Sequence, residues 1–260
     1  LNTDVYRSYF NRLFGHKRDL IESTTDATGH TTMLPVSWDY RFSNLCNFKC
    51  RSCGPRYSSA WVPDAKKLGY TDQEKVWNIE NVDQQTNFDF LKEQVQHVQK
   101  IYFAGGEPLM TPEHYDFLEQ LVEINPNIEL LYTSNFSRLS LKNRHVLDYW
   151  PKFKLVSAIA SIDHYGEHAA YVRTGSDYNT IVKNIKELQN AGHRNIQPAV
   201  TSVYSIYNAT RLGDFVIRLF EDGVIQTMDQ IVFNILVNPD YQMATIIPES
   251  ALEFAIANTQ

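Results

Sequence analysis

Short apolar runs alternate with longer segments of helical periodicity along most of the chain. Six of the runs are rich in β-branched and aromatic residues, which favours strands. The predicted strands are residues 35–41, 100–103, 128–133, 154–162, 196–203 and 230–237. Strands that alternate with helices in this way are typical of a parallel sheet built from βαβ units.

Three of the intervening segments carry start and stop signals for helices. The N-cap candidates are Thr111, Asp177 and Asn208, and the closing glycines of the last two helices are Gly192 and Gly223. The apolar positions have helical spacing and are predicted to be core. They are Phe117, Leu118, Leu121, Val122, Ile181, Ile185, Leu188, Leu212, Phe215, Val216 and Leu219.

Six βα units in about 200 residues predict an α/β fold, a partial (β/α)6 barrel of the TIM-like kind. A doubly wound sheet shows the same alternation, but no G-x-G-x-x-G sequence follows the first predicted strand. Residues 1–33 lack a clean period and are predicted to form a short N-terminal appendage. Residues 238–260 break the rhythm and are predicted to start a C-terminal extension, so the barrel is assigned to 34–237.

The composition is that of an ordinary globular protein, with 43% hydrophobic and 21% charged residues. No long apolar run predicts a membrane span, and the N-terminus lacks the apolar region of a secretory signal. The net charge of −6 and the absence of long basic blocks argue against general nucleic-acid binding. The cysteines are surrounded by Lys49, Arg51 and Arg56, so a local basic patch stays an open alternative.

The three cysteines of the chain lie within eight residues, as Cys46, Cys50 and Cys53. Their spacing is C-x3-C-x2-C, directly after the first predicted strand. An odd number in so short a segment does not suit a disulfide framework and fits a reducing, intracellular setting, so a cytoplasmic location is predicted. Thiolates are soft ligands that select zinc or iron–sulfur clusters.

Several interpretations of the cysteines stay open at this point. A closed zinc site needs a fourth ligand, and no histidine lies between His30 and His97, so a distant one would have to complete it. A ferredoxin-type centre uses four cysteines per cluster. If the three cysteines were only buried structural thiols, nothing would explain their spacing. Three thiolates on a four-iron cluster leave one iron open to a cosubstrate, and the number of cysteines favours this interpretation.

C-x3-C-x2-C after a first strand resembles the signature of the radical S-adenosylmethionine superfamily. The resemblance implies that Cys46, Cys50 and Cys53 hold a [4Fe–4S] cluster whose open iron binds the amino and carboxylate groups of S-adenosylmethionine. One electron then cleaves the sulfonium, and the 5′-deoxyadenosyl radical abstracts hydrogen from a substrate. Such an enzyme is oxygen-sensitive and takes its electron from an external donor of the flavodoxin or ferredoxin type.

Residues after the next two predicted strands resemble further motifs of this family. Gly105, Gly106, Glu107 and Pro108 are similar to the GGEP motif, whose backbone and acid hold the amino group of S-adenosylmethionine. Asn135 ends a Thr-Ser-Asn turn, where many members carry a Thr-Asn-Gly-like turn. A glycine pair that only ends a strand is the alternative interpretation of the first motif.

The fourth predicted strand ends in a stretch similar to the family's Ser-Ile-Asp-Gly, which contacts ribose and methionine groups. Ser161 and Asp163 are the matching residues, and His164 replaces the glycine. Arg173 matches an Arg-x-Gly pattern, in which the arginine often reaches the carboxylate of S-adenosylmethionine. Loop caps and a surface ion pair are the structural alternative for these residues. All these sites follow strands, at the face where βα barrels have their active sites.

One position departs from the family pattern. Ser52 stands before the third cysteine, where members usually carry an aromatic residue that leans on the adenine. The adenine is therefore expected to contact Phe48 or the edge formed by Tyr102 and Phe103 instead.

The string CNFKCRSCGPRYSSAW is most similar to members with a C-terminal twitch or SPASM extension. Such extensions often hold auxiliary clusters with further cysteines, and these residues contain none. The resemblance covers residues 34–237 and implies a peptide or protein substrate, with a small metabolite or nucleotide-derived substrate as the alternative. A non-catalytic zinc or iron–sulfur module on the same fold is the competing class of function.

Overall fold

This computed structural model describes residues 11–12, 14–69 and 93–257. Contacts divide the chain into two compact units, Leu1–Val36 and Ser37–Gln260. In the first unit, helix α1 (Arg18–Thr24) is followed by an isolated antiparallel bridge between Thr25 and Thr31. The predicted domain boundaries after residues 33 and 237 stay predictions.

A six-stranded parallel sheet organises the second unit. Its strands are β1 (Ser37–Tyr40), β3 (Lys100–Phe103), β4 (Glu129–Ser134), β7 (Leu155–Ser161), β9 (Ile196–Tyr204) and β10 (Ile231–Ile235). They are ordered β1-β3-β4-β7-β9-β10, and every neighbouring pair is parallel. Each strand falls on a predicted run, so the α/β parallel fold is confirmed. Among the described residues the sheet is open, as a partial barrel requires.

Two short antiparallel ladders stand beside the main sheet. One joins β2 (Lys49–Cys50) to β8 (Arg173–Thr174), and the other joins β5 (Ser140–Leu141) to β6 (Arg144–His145). The first of them pairs a strand that contains the second cysteine, Cys50, with a segment more than a hundred residues later in the chain.

Six helices in the described part of the second unit connect or flank the strands. They are α2 (Val62–Lys67), α3 (Pro112–Ile124), α4 (Gly166–Val172), α5 (Tyr178–Asn190), α6 (Leu212–Glu221) and α7 (Glu249–Ala257). The three predicted helices correspond to α3, α5 and α6. The Asp177 carboxylate accepts from the Asn179 amide and caps α5, as the sequence predicts. Among the residues that the structure describes, no helix has both the length and the apolar character of a membrane span.

The prediction that Asn208 caps a helix is wrong. A 3-10 turn, Ala209–Arg211, separates it from α6, whose N-cap position is Arg211. The buried Asn208 amide instead donates to the carbonyl oxygens of Asp163 (3.1 Å) and Val203 (2.9 Å). Its side chain therefore ties the end of β9 to the loop after β7.

The core lies between the sheet and its helices. Of the predicted core residues, Phe117, Leu118, Leu121, Ile181, Ile185, Leu188, Phe215 and Leu219 are buried, and Val122, Leu212 and Val216 are partly buried. In β3 the buried residues alternate, with Ile101 and Phe103 in the core and Tyr102 on the opposite face. This alternation decides which aromatic side chain can reach the site.

Candidate active site

A cavity of about 280 Å3 lies where β1, β3, β4, β7 and β9 end. The carboxyl ends of parallel strands are the usual place for ligands in α/β sheets. Ten of the residues predicted from motifs line it together. They are Cys46, Phe48, Cys50, Cys53, Gly105, Gly106, Glu107, Asn135, Ser161 and Arg173. The two others, Pro108 and Asp163, are buried outside its lining.

The glycine pair of the GGEP motif packs against the backbone of the loop that carries the first cysteine. The Gly106 amide donates to the Ser43 carbonyl (3.0 Å), and the Glu107 amide donates to the Leu45 carbonyl (2.7 Å). A Cβ at Gly106 would stand 2.3 Å from the Leu45 oxygen, a distance that no side chain adopts. The close approach that requires glycine is therefore to the cysteine loop.

The Arg-x-Gly segment supports the cysteine loop from another direction. In the β2–β8 ladder Cys50 is paired with Arg173, and a Cβ at Gly175 would lie 2.8 Å from the Asn47 carbonyl oxygen. Gly175 has a φ of +102°, a conformation that L side chains rarely adopt. Sequence reasoning missed this function of Gly175, although the Arg-x-Gly spacing is a signal for it.

Hydrogen-bond donors surround two of the three sulfur atoms. Cys46 Sγ accepts from the Phe48 amide (3.5 Å) and from Asn135 Nδ2 (3.9 Å), and Cys50 Sγ accepts from an Arg173 guanidinium nitrogen (3.6 Å). Burial raises the pKa of Cys46 to about 12 and that of Cys53 to about 11. The thiols are therefore protonated without a cation, and a bound metal centre would reverse this by holding them as thiolates.

The donor set fits a cluster better than a single zinc ion. No group of three or more His, Cys, Asp or Glu side chains in the described residues is arranged to hold a metal ion as it stands. The chain has only three cysteines, whereas a closed zinc site needs four ligands. Three thiols around one cavity, with N–H donors to sulfur, match the environment of an iron–sulfur cluster.

Glu107 lines the cavity and is 2% exposed. Its Oε1 accepts from Ser134 Oγ (2.7 Å) and the Leu109 amide (3.1 Å), and its Oε2 accepts from the Asn135 amide (2.7 Å). Burial raises the pKa of Glu107 despite these donors. The carboxylate thus fastens the GGEP turn to the end of β4, and its predicted contact with an ammonium group stays a prediction.

Glu107→Gln is expected to destabilise the fold by about 1–3 kcal/mol, because an NH2 group would replace one of two oxygens that only accept hydrogen bonds. Urea unfolding of the cluster-free protein measures this difference. Glu123→Gln is the matched control, since Glu123 is exposed on α3. Equal unfolding free energies for the two variants would contradict the prediction.

Asp163 forms a buried ion pair with Arg173 behind the cavity wall. Arg173 Nε donates to Oδ2 (2.8 Å) and another guanidinium nitrogen donates to Oδ1 (3.1 Å), which also accepts from the Val203 amide (2.7 Å). The carboxylate is therefore directed at Arg173, whereas Ser161 lines the cavity itself. His164, next to Asp163, is buried and stacked on His168.

The aromatic residues predicted to contact adenine are placed differently from one another. Phe48 and Tyr102 line the cavity, and the Tyr102 hydroxyl donates to Thr133 Oγ1 (3.0 Å). The prediction is wrong for Phe103, which stacks on Tyr132 in the core because alternate residues of a strand face opposite sides. Tyr57 is a further aromatic residue of the cavity wall that sequence reasoning missed.

The sequence profile of the Radical SAM superfamily matches residues 40–208, more than half of the chain. The chain belongs to this family. Members use a [4Fe–4S] cluster and S-adenosylmethionine, which confirms the predicted cofactors. The family also indicates an enzyme, as the sequence predicts, whereas closeness to twitch or SPASM members stays a prediction.

Curated relatives match parts of this radical SAM chain. A GTP 3′,8-cyclase of Sulfurimonas denitrificans is 28% identical over 141 residues, which are 54% of this chain and 37% of the relative. A GTP 3′,8-cyclase of Aliarcobacter butzleri is 28% identical over 104 residues, which are 40% of this chain and 28% of the relative. The chain thus spans about a third of the length of these relatives.

Solved radical SAM structures share the fold. Native anSMEcpe with bound AdoMet has a TM-score of 0.58 at 15% identity, over 86% of this chain and 59% of that one. Streptococcus suis SuiB bound to S-adenosylmethionine has a TM-score of 0.53 at 14% identity, over 81% of this chain and 43% of that one. At these identities the likeness supports the architecture alone.

Proposed function

We propose that this chain is the catalytic part of an enzyme that cleaves S-adenosylmethionine reductively and starts a radical reaction on a second substrate. Cys46, Cys50 and Cys53 hold the [4Fe–4S] cluster in this proposal. One observation carries it: in a chain of this family, the three cysteines and the GGEP turn line a single cavity at the carboxyl edge of the sheet. When bound, the cluster supplies an open iron for the ligand and the electron that cleaves it.

The residues of the cavity have separate tasks in this proposal. Phe48 is fully buried beside the cysteines and keeps water from the sulfur atoms. Tyr102 offers an aromatic face for the adenine, while Ser161 and Asn135 offer hydrogen-bonding groups to the ribose and methionine parts. Arg41 also lines the cavity at the end of β1, where its guanidinium pairs with the Asp39 carboxylate (2.9 Å).

Anaerobic reconstitution with iron and sulfide tests this function. We expect a four-iron cluster, and dithionite reduction with S-adenosylmethionine should then yield methionine and 5′-deoxyadenosine, measured by liquid chromatography and mass spectrometry. A non-catalytic metal module on the same fold would bind metal without this product. Failure to form the cluster, or a cluster without 5′-deoxyadenosine above the protein-free blank, would overturn the proposal.

The substrate is proposed to be a peptide or protein, on the similarity of the cysteine segment to peptide-modifying members. The curated relatives favour a second candidate, since both are GTP cyclases by name. GTP is therefore the probe that separates the two. If GTP stimulates 5′-deoxyadenosine formation and itself loses hydrogen, the peptide proposal is overturned; if GTP has no effect, the nucleotide candidate loses its support.

We also propose a cytoplasmic setting and an electron donor of the flavodoxin or ferredoxin type. The setting is supported by three thiols with no disulfide between them. The donor is supported by the family's need for one electron per cleavage. Replacing dithionite with a reduced flavodoxin should sustain 5′-deoxyadenosine formation if the donor proposal holds.

A further inference from the structure

The Arg173–Asp163 pair lies directly against one of the three cysteines. The Arg173 side chain is 12% exposed and that of Asp163 is 1% exposed. Two guanidinium nitrogens bind the carboxylate, and the third donates to Cys50 Sγ at 3.6 Å. The guanidinium therefore stands between a sulfur atom and a carboxylate.

The backbone fixes this arrangement from both ends. Arg173 is paired with Cys50 in the β2–β8 ladder, so the two residues are neighbours by register. The Asp163 side chain accepts from the Val203 amide, and the Asp163 carbonyl accepts from Asn208. The guanidinium cannot turn away from Cys50 without breaking its two hydrogen bonds to Asp163, a carboxylate that the Val203 amide holds in place.

We propose that Arg173 is a positioning residue that orients the Cys50 sulfur and raises the reduction potential of the cluster, and that Asp163 limits this effect. The inference rests on the proposed function, because it assumes the cluster at Cys46, Cys50 and Cys53. It assigns to Arg173 an action on the sulfur ligand that does not depend on S-adenosylmethionine.

Electrostatics gives the direction of each effect. Reduction adds one negative charge to the cluster, and a buried cation nearby favours the reduced form, since charges interact more strongly away from water. Hydrogen bonds to the sulfurs act in the same direction. Asp163 opposes reduction, but the guanidinium lies between its carboxylate and the Cys50 sulfur, so the cation is the charge nearer to the cluster ligand.

The two residues thus predict potential shifts of opposite sign. Arg173→Gln removes the cation and should move the midpoint potential to more negative values. Asp163→Asn keeps an oxygen that accepts from Arg173 but removes the negative charge, and should move the potential to more positive values. A loss of packing alone would not give opposite signs.

Reconstituted wild type, Arg173→Gln, Arg173→Lys and Asp163→Asn are compared by redox titration followed by electron paramagnetic resonance, without S-adenosylmethionine. Arg173→Lys keeps the positive charge but not the three-nitrogen geometry of the guanidinium. The midpoint potential of its cluster should therefore lie between those of wild type and Arg173→Gln. Arg218→Gln is the matched control, because Arg218 of α6 pairs with Asp222 and neither residue lines the cavity. Its potential should equal that of wild type.

The same samples show what would overturn the inference. An unchanged potential in Arg173→Gln, with weaker binding of S-adenosylmethionine, would assign Arg173 to the ligand carboxylate instead. Shifts of the same sign in both variants would indicate a structural effect only. If Arg173→Gln holds no cluster, Asp163→Asn decides alone, and only a positive shift supports the inference. A wild type without a four-iron cluster would overturn the proposed function, and this inference with it.

Discussion

Gly106→Ala is expected to abolish most of the cluster binding while leaving the sheet in place. The new Cβ would stand 2.3 Å from the Leu45 carbonyl oxygen and 2.6 Å from the Asn44 carbonyl carbon. Both are backbone atoms, so no side chain can rotate away. The cysteine loop must retreat, and it then loses the hydrogen bonds that the Gly106 and Glu107 amides donate to it.

The expected size follows from the cost of overpacking. Inserting a methyl group into a packed site costs about 1–3 kcal/mol. Where that strain falls on the cluster loop alone, it weakens cluster binding by roughly ten- to a hundredfold. Iron and sulfide content after reconstitution, with far-ultraviolet circular dichroism for the fold, measures both parts of the prediction.

Gly54→Ala is the matched control for this substitution. Gly54 follows Cys53 in the same loop, its φ lies outside the left-handed region, and an added Cβ would meet no atom within 4 Å. Its cluster content should equal that of wild type. If Gly106→Ala binds as much iron and sulfide as Gly54→Ala, the close packing of the GGEP turn on the cysteine loop has no bearing on cluster binding.

The elements that the sequence predicts well are those with local periodicity. All six strands of the sheet fall on their predicted runs because alternating β-branched and aromatic residues give a signal within a few positions. The cysteines and the GGEP motif are equally local, and the structure brings them together at the edge where parallel strands end.

Long-range pairings explain what the sequence could not predict. The β2–β8 ladder joins two strands of two residues each, too short to show a pattern, and only this pairing aims Arg173 at Cys50 rather than at open solvent. The Asn208 amide likewise donates to the carbonyls of Asp163 and Val203, whereas the local sequence predicts that Asn208 caps a helix. In each case a buried polar side chain is satisfied by distant backbone or by a distant side chain.

The burial of Glu107 has the same kind of cause. Two of its three donors, Ser134 and the Asn135 amide, lie at the end of the next strand of the sheet, and β3 and β4 must pair before they meet the carboxylate. The motif predicts a ligand-binding acid, and the structure shows an acid that also fastens the turn to β4. Both can hold, because Oε2 accepts only from the Asn135 amide among the described residues and a carboxylate oxygen can accept two hydrogen bonds.

Cys50→Ala is expected to reduce 5′-deoxyadenosine formation to the level of the protein-free blank. With two thiolates left, the cluster loses the sulfur that lies in register with Arg173. The fold should persist, because the Cys50 sulfur makes only the hydrogen bond from Arg173 among the described residues. We expect the unfolding free energy of the cluster-free protein to change by about 1 kcal/mol, as for an average point substitution.

Three measurements on Cys50→Ala separate cluster loss from misfolding. Circular dichroism should match wild type, the four-iron absorption should be lost, and the product should be absent. Lys66→Ala, exposed on α2 beyond the cysteine loop, is the control and should keep both cluster and product. Full activity in Cys50→Ala would overturn the assignment of the three cysteines to the cluster. An unfolded Cys50→Ala would instead show that the fold depends on the packing of this side chain against the core.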